Sequence, residues 1–344
     1  MYAPRMSLTS DPGRHVLLVG GAGYIGTELT AHLLERGYRV RAADQLVYRN
    51  GLAVAGFLRH PNYEFRRLDL ANPAAMAGAL DGISDVVLLA GLVGDPITKT
   101  YPEASDRINL NGMKGLVDQL AGRGLRRVIF VSTCSNYGLI PEGSVADEHY
   151  ELKPLSRYAT AKVALEEHIL ERAPGVDYDP VVLRFATAFG LSARMRFDLT
   201  VSEFCRELHL GRELVVYDAA TWRPYCHVRD FAELMRRILE APAEAVAGEV
   251  FNAGGDANNA TKKMIVDEVL RLVPEGRVVY QEHGSDPRNY RVNFAKVRER
   301  LAFEPAVSLA DGVAELLGAL RQGICDDVDA RRTFYGNYEI EYPA

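Results

Sequence analysis

The sequence predicts an α/β protein built on a doubly wound parallel sheet, with a further lobe. Residues 15–19 form an apolar run typical of a strand buried on both faces, and the run ends in a glycine cluster where a helix begins. Similar apolar strands recur at residues 38–43, 63–68, 85–90 and 127–131. The length of 344 residues favours a second domain or a substantial lobe, because a typical domain has about 150 residues.

The glycine turn after the first strand has the composition of a dinucleotide-binding turn. Gly20, Gly23 and Gly26 have the spacing Gly-x-x-Gly-x-x-Gly, with Tyr24 and Ile25 at the start of the helix. The first glycine permits the tight turn, the second lets the backbone approach a pyrophosphate, and the third lets the helix pack closely on the strand. Glycine-rich turns also serve only to reverse the chain, so the prediction of nucleotide binding depends on the ends of the next strands.

Two carboxylates stand where the next two predicted strands end. Asp44 follows the glycine turn by about 20 residues, the sequence separation at which dinucleotide-binding folds have an acidic residue. Such a residue accepts hydrogen bonds from the ribose hydroxyls of NAD and repels the 2′-phosphate of NADP. Nearby, only Arg49 argues for NADP. Asp69, followed by Leu70, could accept from the adenine amino group or could cap the next helix. The sequence therefore predicts NAD as the cofactor.

The fourth predicted strand runs into a segment rich in glycine. Ala90 and Gly91 are expected to bring backbone close to the cofactor, and Asp95-Pro96 is expected to turn the chain back over the site. A helix is predicted over about residues 102–122.

Charge and composition argue against several classes of protein. The net charge of −6 and the isoelectric point near 5.8 give no basic surface for nucleic acid. The sequence has no apolar run of about 18 residues and no signal peptide pattern, which predicts a soluble, cytoplasmic protein without a membrane partner. The four cysteines have neither metal-ligand spacing nor a disulfide pattern, so no metal is predicted.

Polar side chains at the end of the fifth strand are the candidate catalytic groups. This strand delivers Thr133, Cys134 and Ser135 to the carboxyl edge of the sheet, where open parallel sheets bind ligands. Tyr158 and Lys162 come later at helical spacing and share one helix face. An ammonium beside a tyrosine favours the phenolate, so the tyrosine pKa is expected to fall and the group to act in acid–base catalysis. A surface Ser/Thr loop and a chance Tyr–Lys pair are the alternatives.

Taken together, these motifs resemble the extended short-chain dehydrogenase/reductases, and within them the nucleotide-sugar epimerase/dehydratase branch. The resemblance extends from His15 to about Leu320. The motifs are Gly-x-x-Gly-x-x-Gly at 20–26, Ser-Thr-x-x-x-Tyr-Gly at 132–138 and Tyr-x-x-x-Lys at 158–162, with later matching segments at 183–190, 223–230, 252–254 and 286–288.

The resemblance implies a domain organisation and partners. It implies a Rossmann domain, a doubly wound parallel sheet that holds NAD permanently, and a smaller mixed α/β C-terminal lobe that holds a nucleotide-diphosphate sugar. It also implies a homodimer formed through helices near residues 102–122 and 155–172. The predicted divisions are an N-terminal tail at 1–14, the NAD domain at 15–185 with parts of 225–255, the sugar lobe at 186–324 and a C-terminal tail at 325–344.

The resemblance also implies roles for single residues. Tyr158 would take a proton from a sugar hydroxyl that Thr133 holds. Tyr158 and Lys162 would also contact the cofactor, Lys162 at the nicotinamide ribose. Phe185 matches a position beside the nicotinamide. Arg223 and Arg288 match arginines that hold the substrate pyrophosphate, for which a guanidinium fork is well suited; ordinary surface arginines are the alternative.

Three departures from the family pattern bear on the reaction. Thr187 stands where an asparagine is frequent, and residues 89–92 replace a His-x-Ala-Ala turn. Cys134 and Ser135 stand where the 4,6-dehydratases have Asp and Glu to eliminate water. A C4 epimerase is therefore the leading hypothesis. The alternatives are a dehydratase or C3/C5 epimerase that uses Cys134 as acid or base, a 4-ketosugar reductase, and a non-catalytic dinucleotide sensor.

Overall fold

The structure is a computed structural model that describes residues 13–284 and 288–342. Most of the predicted N-terminal tail lies outside the described residues, as do Asp286 and Pro287 of the last matching segment and the final two residues of the C-terminal tail.

Seven parallel strands form the central sheet, in the order β10-β6-β5-β4-β1-β2-β3. The order reverses between β1 and β4, so the predicted doubly wound α/β fold is confirmed. The strands of the described chain are β1 His15–Val19, β2 Arg39–Asp44, β3 Tyr63–Arg67, β4 Asp85–Leu88, β5 Arg127–Thr133, β6 Asp179–Phe185, β7 Thr187–Phe189, β8 Glu213–Tyr217, β9 Trp222–His227, β10 Glu249–Ala253, β11 Asn259–Thr261 and β12 Arg277–Gln281.

Helices cover both faces of this sheet. The side chains of β1 alternate between two apolar clusters: Val16 and Leu18 belong to one, while Leu17 and Val19 belong to the other. The α-helices are α1 Tyr24–Leu34, α2 Pro73–Ala79, α3 Asp95–Thr100, α4 Pro102–Ser105, α5 Met113–Val117, α6 Arg157–Arg172, α7 Thr200–His209, α8 Val228–Glu240, α9 Ala243–Val246, α10 Lys262–Leu272, α11 Ala295–Leu301, α12 Leu309–Arg321 and α13 Arg332–Tyr335.

The helix predicted at 102–122 differs from its prediction in two ways. A wider π-helical turn, Asp106–Gly112, separates α4 from α5. The helical run ends at Val117, because the N–H groups of Gln119 and Leu120 bond three residues back and tighten the chain into turns.

A second apolar cluster builds the lobe beside the sheet. The lobe contains a three-stranded sheet, β11-β9-β7, and a two-stranded sheet, β12-β8, packed with α7, α10 and α12. Phe334 and Tyr335 of the C-terminal tail belong to the same cluster. The predicted domain boundaries and the homodimer stay predictions. Among residues 13–284 and 288–342, no helix has the length and hydropathy needed to span a bilayer.

Candidate functional site

A cleft of about 580 Å³ opens at the carboxyl edge of the central sheet, between the sheet and the lobe. All of the predicted site residues line it except Cys134. They are Gly20, Gly23, Tyr24, Ile25, Gly26, Asp44, Asp69, Leu70, Ala90, Gly91, Thr133, Ser135, Tyr158, Lys162, Phe185, Thr187, Arg223 and Arg288. The fold therefore brings together segments that are far apart in the chain, while the role of each residue stays a prediction.

The glycine turn fits a dinucleotide pyrophosphate. Gly20 has φ +93°, and a Cβ there would lie 2.7 Å from the backbone nitrogen of Ala90. A Cβ on Gly26 would lie 2.5 Å from the Gly20 carbonyl oxygen, so only glycine lets α1 begin this close to β1. Gly23 caps α1 without a side-chain hydrogen bond. The first N–H groups of α1 thus remain available to an anion.

The carboxylate of Asp44, the residue predicted to bind a ribose, is held in place by backbone hydrogen bonds. Its carboxylate accepts the N–H groups of Ala22 at 3.1 Å and Leu46 at 2.8 Å, and lone pairs remain for further donors. Burial raises the pKa of Asp44, and these two N–H groups oppose the rise. Arg49, the residue that argued for NADP, is exposed and paired with Glu341. The geometry therefore supports NAD at this strand end.

Asp69 does not cap the following helix. Asn72 caps α2 by accepting the N–H of Ala75 at 3.2 Å. The Asp69 carboxylate instead accepts the N–H of Ala71 at 2.8 Å and the hydroxyl of Tyr342 at 3.0 Å. The contact with Tyr342 joins the C-terminal tail to the predicted adenine site.

The Tyr158 and Lys162 side chains occupy the cleft floor at the end of β5. The Lys162 ammonium donates to the Val131 carbonyl at 2.7 Å and lies 5.8 Å from the centre of the Tyr158 ring. Burial raises the pKa of Tyr158, while the guanidinium groups of Arg196 and Arg288 act to lower it. Lys162 is not among the principal causes and the net shift is upward, so the predicted lowering of the Tyr158 pKa is wrong.

The pKa of the Lys162 amine is far below its ordinary value. The residue is 4% exposed, and burial lowers the pKa of its amine to about 8 from an ordinary value of 10.5. The nearby Glu166 carboxylate opposes this shift.

Replacing Lys162 by Met is therefore expected to stabilise the NAD-free protein at pH 7. Below about pH 8 the folded wild-type chain must hold a buried ammonium. This cost falls as the pH rises from about 8 and is lost above 10.5, where the amine is neutral in both the folded and the unfolded chain. The stabilising effect of Lys162→Met should therefore shrink between pH 8 and pH 10. Urea unfolding of the wild type and the variant at pH 7, 8.5 and 10 measures this stabilising effect. A difference in unfolding free energy that does not change with pH would contradict the lowered pKa of Lys162.

Cys134 is a core residue and not part of the cleft. It is 1% exposed, its thiol lies 3.1 Å from the Arg184 carbonyl oxygen, and burial raises its pKa far above the ordinary value. The predicted acid–base role of Cys134 is therefore wrong, because a buried neutral thiol outside the cleft cannot exchange protons with a substrate. Thr133 and Ser135 do line the cleft, and the Ser135 hydroxyl lies 3.2 Å from that of Tyr290.

A buried ionic network supports the floor of the cleft from behind. The Glu166 carboxylate pairs with Arg184 at 2.7 Å and accepts the side-chain N–H of Asn136 at 2.7 Å and the hydroxyl of Ser132. Our sequence reasoning missed Glu166, although the spacing of four residues puts it on the helix face that carries Lys162. The network holds α6 against the end of β5.

The lobe side of the cleft is lined by paired polar groups. Arg288 contacts the Asp95 carboxylate at 3.1 Å and the Ser135 hydroxyl at 3.4 Å. The guanidinium of Arg223 lies 4.8 Å from the centre of the Tyr290 ring and donates to the Arg288 carbonyl. The two arginines predicted to hold a pyrophosphate are therefore neighbours.

A third group of charges was not predicted. Arg194, Arg196 and Asp198 line the cleft from the loop after β7, and Arg196 donates to Asp198 at 3.1 Å. The alternation of charged and apolar residues over 194–198 was the available signal. A strand-like alternation in a loop indicates that one side of the segment faces a polar cavity.

An aromatic pair bounds the end of the cleft where Phe185 lies. Phe185 lines the cleft and stacks on Phe231 with ring centres 3.8 Å apart and planes 11° apart. Phe185 ends β6, and Phe231 belongs to α8. The ring predicted to lie beside the nicotinamide is thus held rigidly.

The parallel sheet, the glycine turn and the Tyr–Lys pair at one strand edge are those of a dinucleotide-dependent enzyme of the extended short-chain dehydrogenase/reductase class. The chain belongs to the NAD dependent epimerase/dehydratase family, whose model matches residues 16–254.

Relatives of two reaction types cover most of the chain. A dTDP-glucose 4,6-dehydratase of Streptomyces griseus is 30% identical over 312 residues, 87% of this chain and 92% of the relative. A UDP-glucuronate 4-epimerase of Thermodesulfobacterium geofontis is 24% identical over 90% of this chain and 97% of the relative. The chain is thus an enzyme of this nucleotide-sugar epimerase/dehydratase family.

One solved structure illustrates the shared fold. It is the UDP-glucuronic acid 4-epimerase from Bacillus cereus, in complex with UDP-glucuronic acid and NAD. It matches with a TM-score of 0.81 at 22% identity, over 90% of this chain and 99% of the other.

Proposed function

We propose that the protein is an NAD-dependent epimerase that inverts C4 of a nucleotide-diphosphate sugar through a transient keto-sugar. The observation that carries this proposal is the chemistry after Thr133. Where the resemblance places an acid pair in the dehydratases, this chain has a buried thiol, Cys134, and a neutral hydroxyl, Ser135. Neither is a base at neutral pH, because neither has an activating base as its hydrogen-bond partner here.

The residues of the cleft suit oxidation and reduction at a carbinol carbon. Tyr158 acts as the phenolate, which the nearby guanidinium groups of Arg196 and Arg288 favour against the effect of burial; it accepts the hydroxyl proton and returns it after the keto-sugar has turned over. Thr133 accepts the N–H of Ser135 at 3.1 Å, which leaves its own hydroxyl proton to be donated to the sugar oxygen. Arg223 and Arg288 bind the diphosphate. When bound, the dinucleotide supplies the hydride acceptor and donor, so the reaction needs no second redox partner.

A second candidate function is favoured by Asp95. Its carboxylate lines the cleft and raises the pKa of Tyr158. Asp95 therefore lies close to the place where the sugar hydroxyl would react with Tyr158. One oxygen of Asp95 contacts Arg288, while the other is buried and has no hydrogen-bond partner among the described residues. A carboxylate so placed could remove the C5 proton of a keto-sugar, as dehydration or C5 epimerisation requires.

Deuterium labelling distinguishes the two reactions. The protein is incubated in deuterated water with UDP-, dTDP-, GDP-, CDP- and ADP-hexoses and their uronates, and the products are examined by NMR and mass spectrometry. We expect an epimeric product without solvent deuterium on carbon, because the C4 hydrogen leaves and returns within the site.

Deuterium at C5, or loss of water, would instead favour the second candidate. In that case Asp95→Asn should abolish the exchange at C5 while formation of the 4-keto group persists. Exchange that survives in Asp95→Asn would contradict the second candidate as well.

A further inference from the structure

The end of the chain crosses the cofactor cleft. Residues 337–342 have no regular secondary structure, yet they are tied to loops that come after three different strands of the central sheet. The bonds, in chain order, are the Asn337 side-chain N–H to the Val93 carbonyl at 2.8 Å, the Glu341 N–H to the Val47 carbonyl at 2.8 Å, and the Tyr342 hydroxyl to the Asp69 carboxylate at 3.0 Å.

These anchors follow the carboxyl edge of the sheet, where doubly wound folds bind dinucleotides. Val93 comes after β4, Val47 after β2 and Asp69 after β3, so the tail runs along the carboxyl edge in the order β4-β1-β2-β3. Three strand spacings are about 14 Å, and five extended residues reach about 16 Å. The segment is thus long enough to span the adenosine half of the site with almost no slack.

The cleft beneath this segment holds polar atoms that lack partners. They belong to residues less than a tenth exposed that line the cleft: Tyr48 Oη, Asn50 Oδ1, Arg194 Nε and Asn337 Oδ1 have no hydrogen-bond partner among the described residues. Buried polar atoms in folded proteins are almost always paired. Four such atoms around one cavity indicate a polar ligand that the tail helps to enclose.

Arg194 connects the tail to the cofactor side of the cleft. Its guanidinium donates to the Gly336 carbonyl at 3.2 Å and lies 4.6 Å from the centre of the Tyr48 ring. It is 2% exposed and interacts electrostatically with Asp44, the predicted ribose-binding residue. A buried cation at this place suits the pyrophosphate of a dinucleotide.

We propose that residues 337–342 form a strap that completes the cofactor site and, together with Arg194, retains the dinucleotide through turnover. Asn337 and Arg194 direct polar atoms into the cleft. Tyr342 fixes the Asp69 carboxylate, whose remaining lone pairs can still accept the adenine amino group. The proposal depends on the use of NAD by this family and not on which carbon of the sugar reacts.

Cofactor retention tests the strap without any sugar substrate. The full chain, a chain ending at Gly336 and Tyr342→Phe are loaded with isotope-labelled NAD, and its loss into excess unlabelled NAD is followed by mass spectrometry. We expect the shortened chain to lose NAD at least about tenfold faster, and Tyr342→Phe about fivefold faster, since one net hydrogen bond is worth about 1 kcal/mol. Tyr280→Phe, an exposed tyrosine on β12, is the matched control and should behave as the full chain.

Two outcomes would overturn the proposal. Equal loss of NAD from all four proteins would show that the tail encloses nothing. Slower loss or tighter binding after shortening would show that Tyr342 competes with adenine for Asp69. If the shortened chain fails to fold, as judged by circular dichroism, Tyr342→Phe and Asn337→Ala against the Tyr280→Phe control decide the question. Because the readout is NAD alone, it stays informative even if the C4 reaction is not found.

Discussion

Tyr158→Phe is expected to lower kcat by about 10²–10⁴-fold, the usual contribution of a positioned general acid–base. The variant keeps the ring in the cleft and removes only the hydroxyl that exchanges the proton of the sugar. Because many other residues that line the cleft are predicted to hold the cofactor, the NAD content of the purified protein should stay close to that of the wild type. Steady-state rates are measured with the sugar that the deuterium experiment identifies.

A control keeps this result specific to the cleft. Tyr280→Phe removes a hydroxyl from the exposed edge of the lobe and should leave kcat unchanged. A Tyr158→Phe enzyme with wild-type kcat would contradict the proposed mechanism, whereas loss of NAD together with activity would indicate that the substitution had damaged the site and not the proton transfer.

The second large effect is expected on stability. Glu166→Ala should reduce the free energy of unfolding by about 3–5 kcal/mol, because it leaves the Arg184 charge buried without its partner. Glu166 is 2% exposed and Arg184 is 5% exposed, so water cannot replace the lost carboxylate. Urea unfolding of the NAD-free proteins measures the loss.

Two further variants test whether the loss of the Glu166–Arg184 ion pair causes the loss of stability. Glu167→Ala changes the exposed neighbour on the same helix and should alter stability by no more than about 0.5 kcal/mol. Glu166→Gln keeps the shape and some hydrogen bonds, so its loss should be intermediate. A Glu166→Ala loss no larger than that of Glu167→Ala would contradict a structural role for the network.

Much of the fold and most of the cofactor site were predictable because they depend on short-range patterns. The glycine turn, Asp44 and the Tyr158–Lys162 pair each lie within one strand, turn or helix, where backbone geometry dictates which side chains share a face. Cys134 could not be placed in this way, because it follows the end of β5 and begins a 3-10 helical turn, Cys134–Tyr137, where strand alternation no longer applies.

The pKa values of the Tyr158 and Lys162 side chains could not be predicted from their separation in sequence. The pattern Tyr-x-x-x-Lys predicted a lowered tyrosine pKa, but burial raises the pKa of Tyr158 and lowers that of Lys162. Desolvation depends on how much protein surrounds a group in three dimensions. Neighbours in sequence do not reveal that quantity.

The sequence by itself determined the class of fold, the glycine turn, the preference for NAD and the position of the Tyr–Lys pair, because each depends on local backbone geometry and side-chain chemistry. Only the tertiary structure decided that Cys134 lies in the core, that Asp95 meets Arg288, and that Asn337 and Tyr342 close over a site that begins at Gly20. The contacts of Asp95 with Arg288, of Asn337 with Val93 and of Tyr342 with Asp69 join residues that are 193, 244 and 273 positions apart. Such contacts arise from the packing of the lobe and tail against the sheet edge, and no local pattern specifies them.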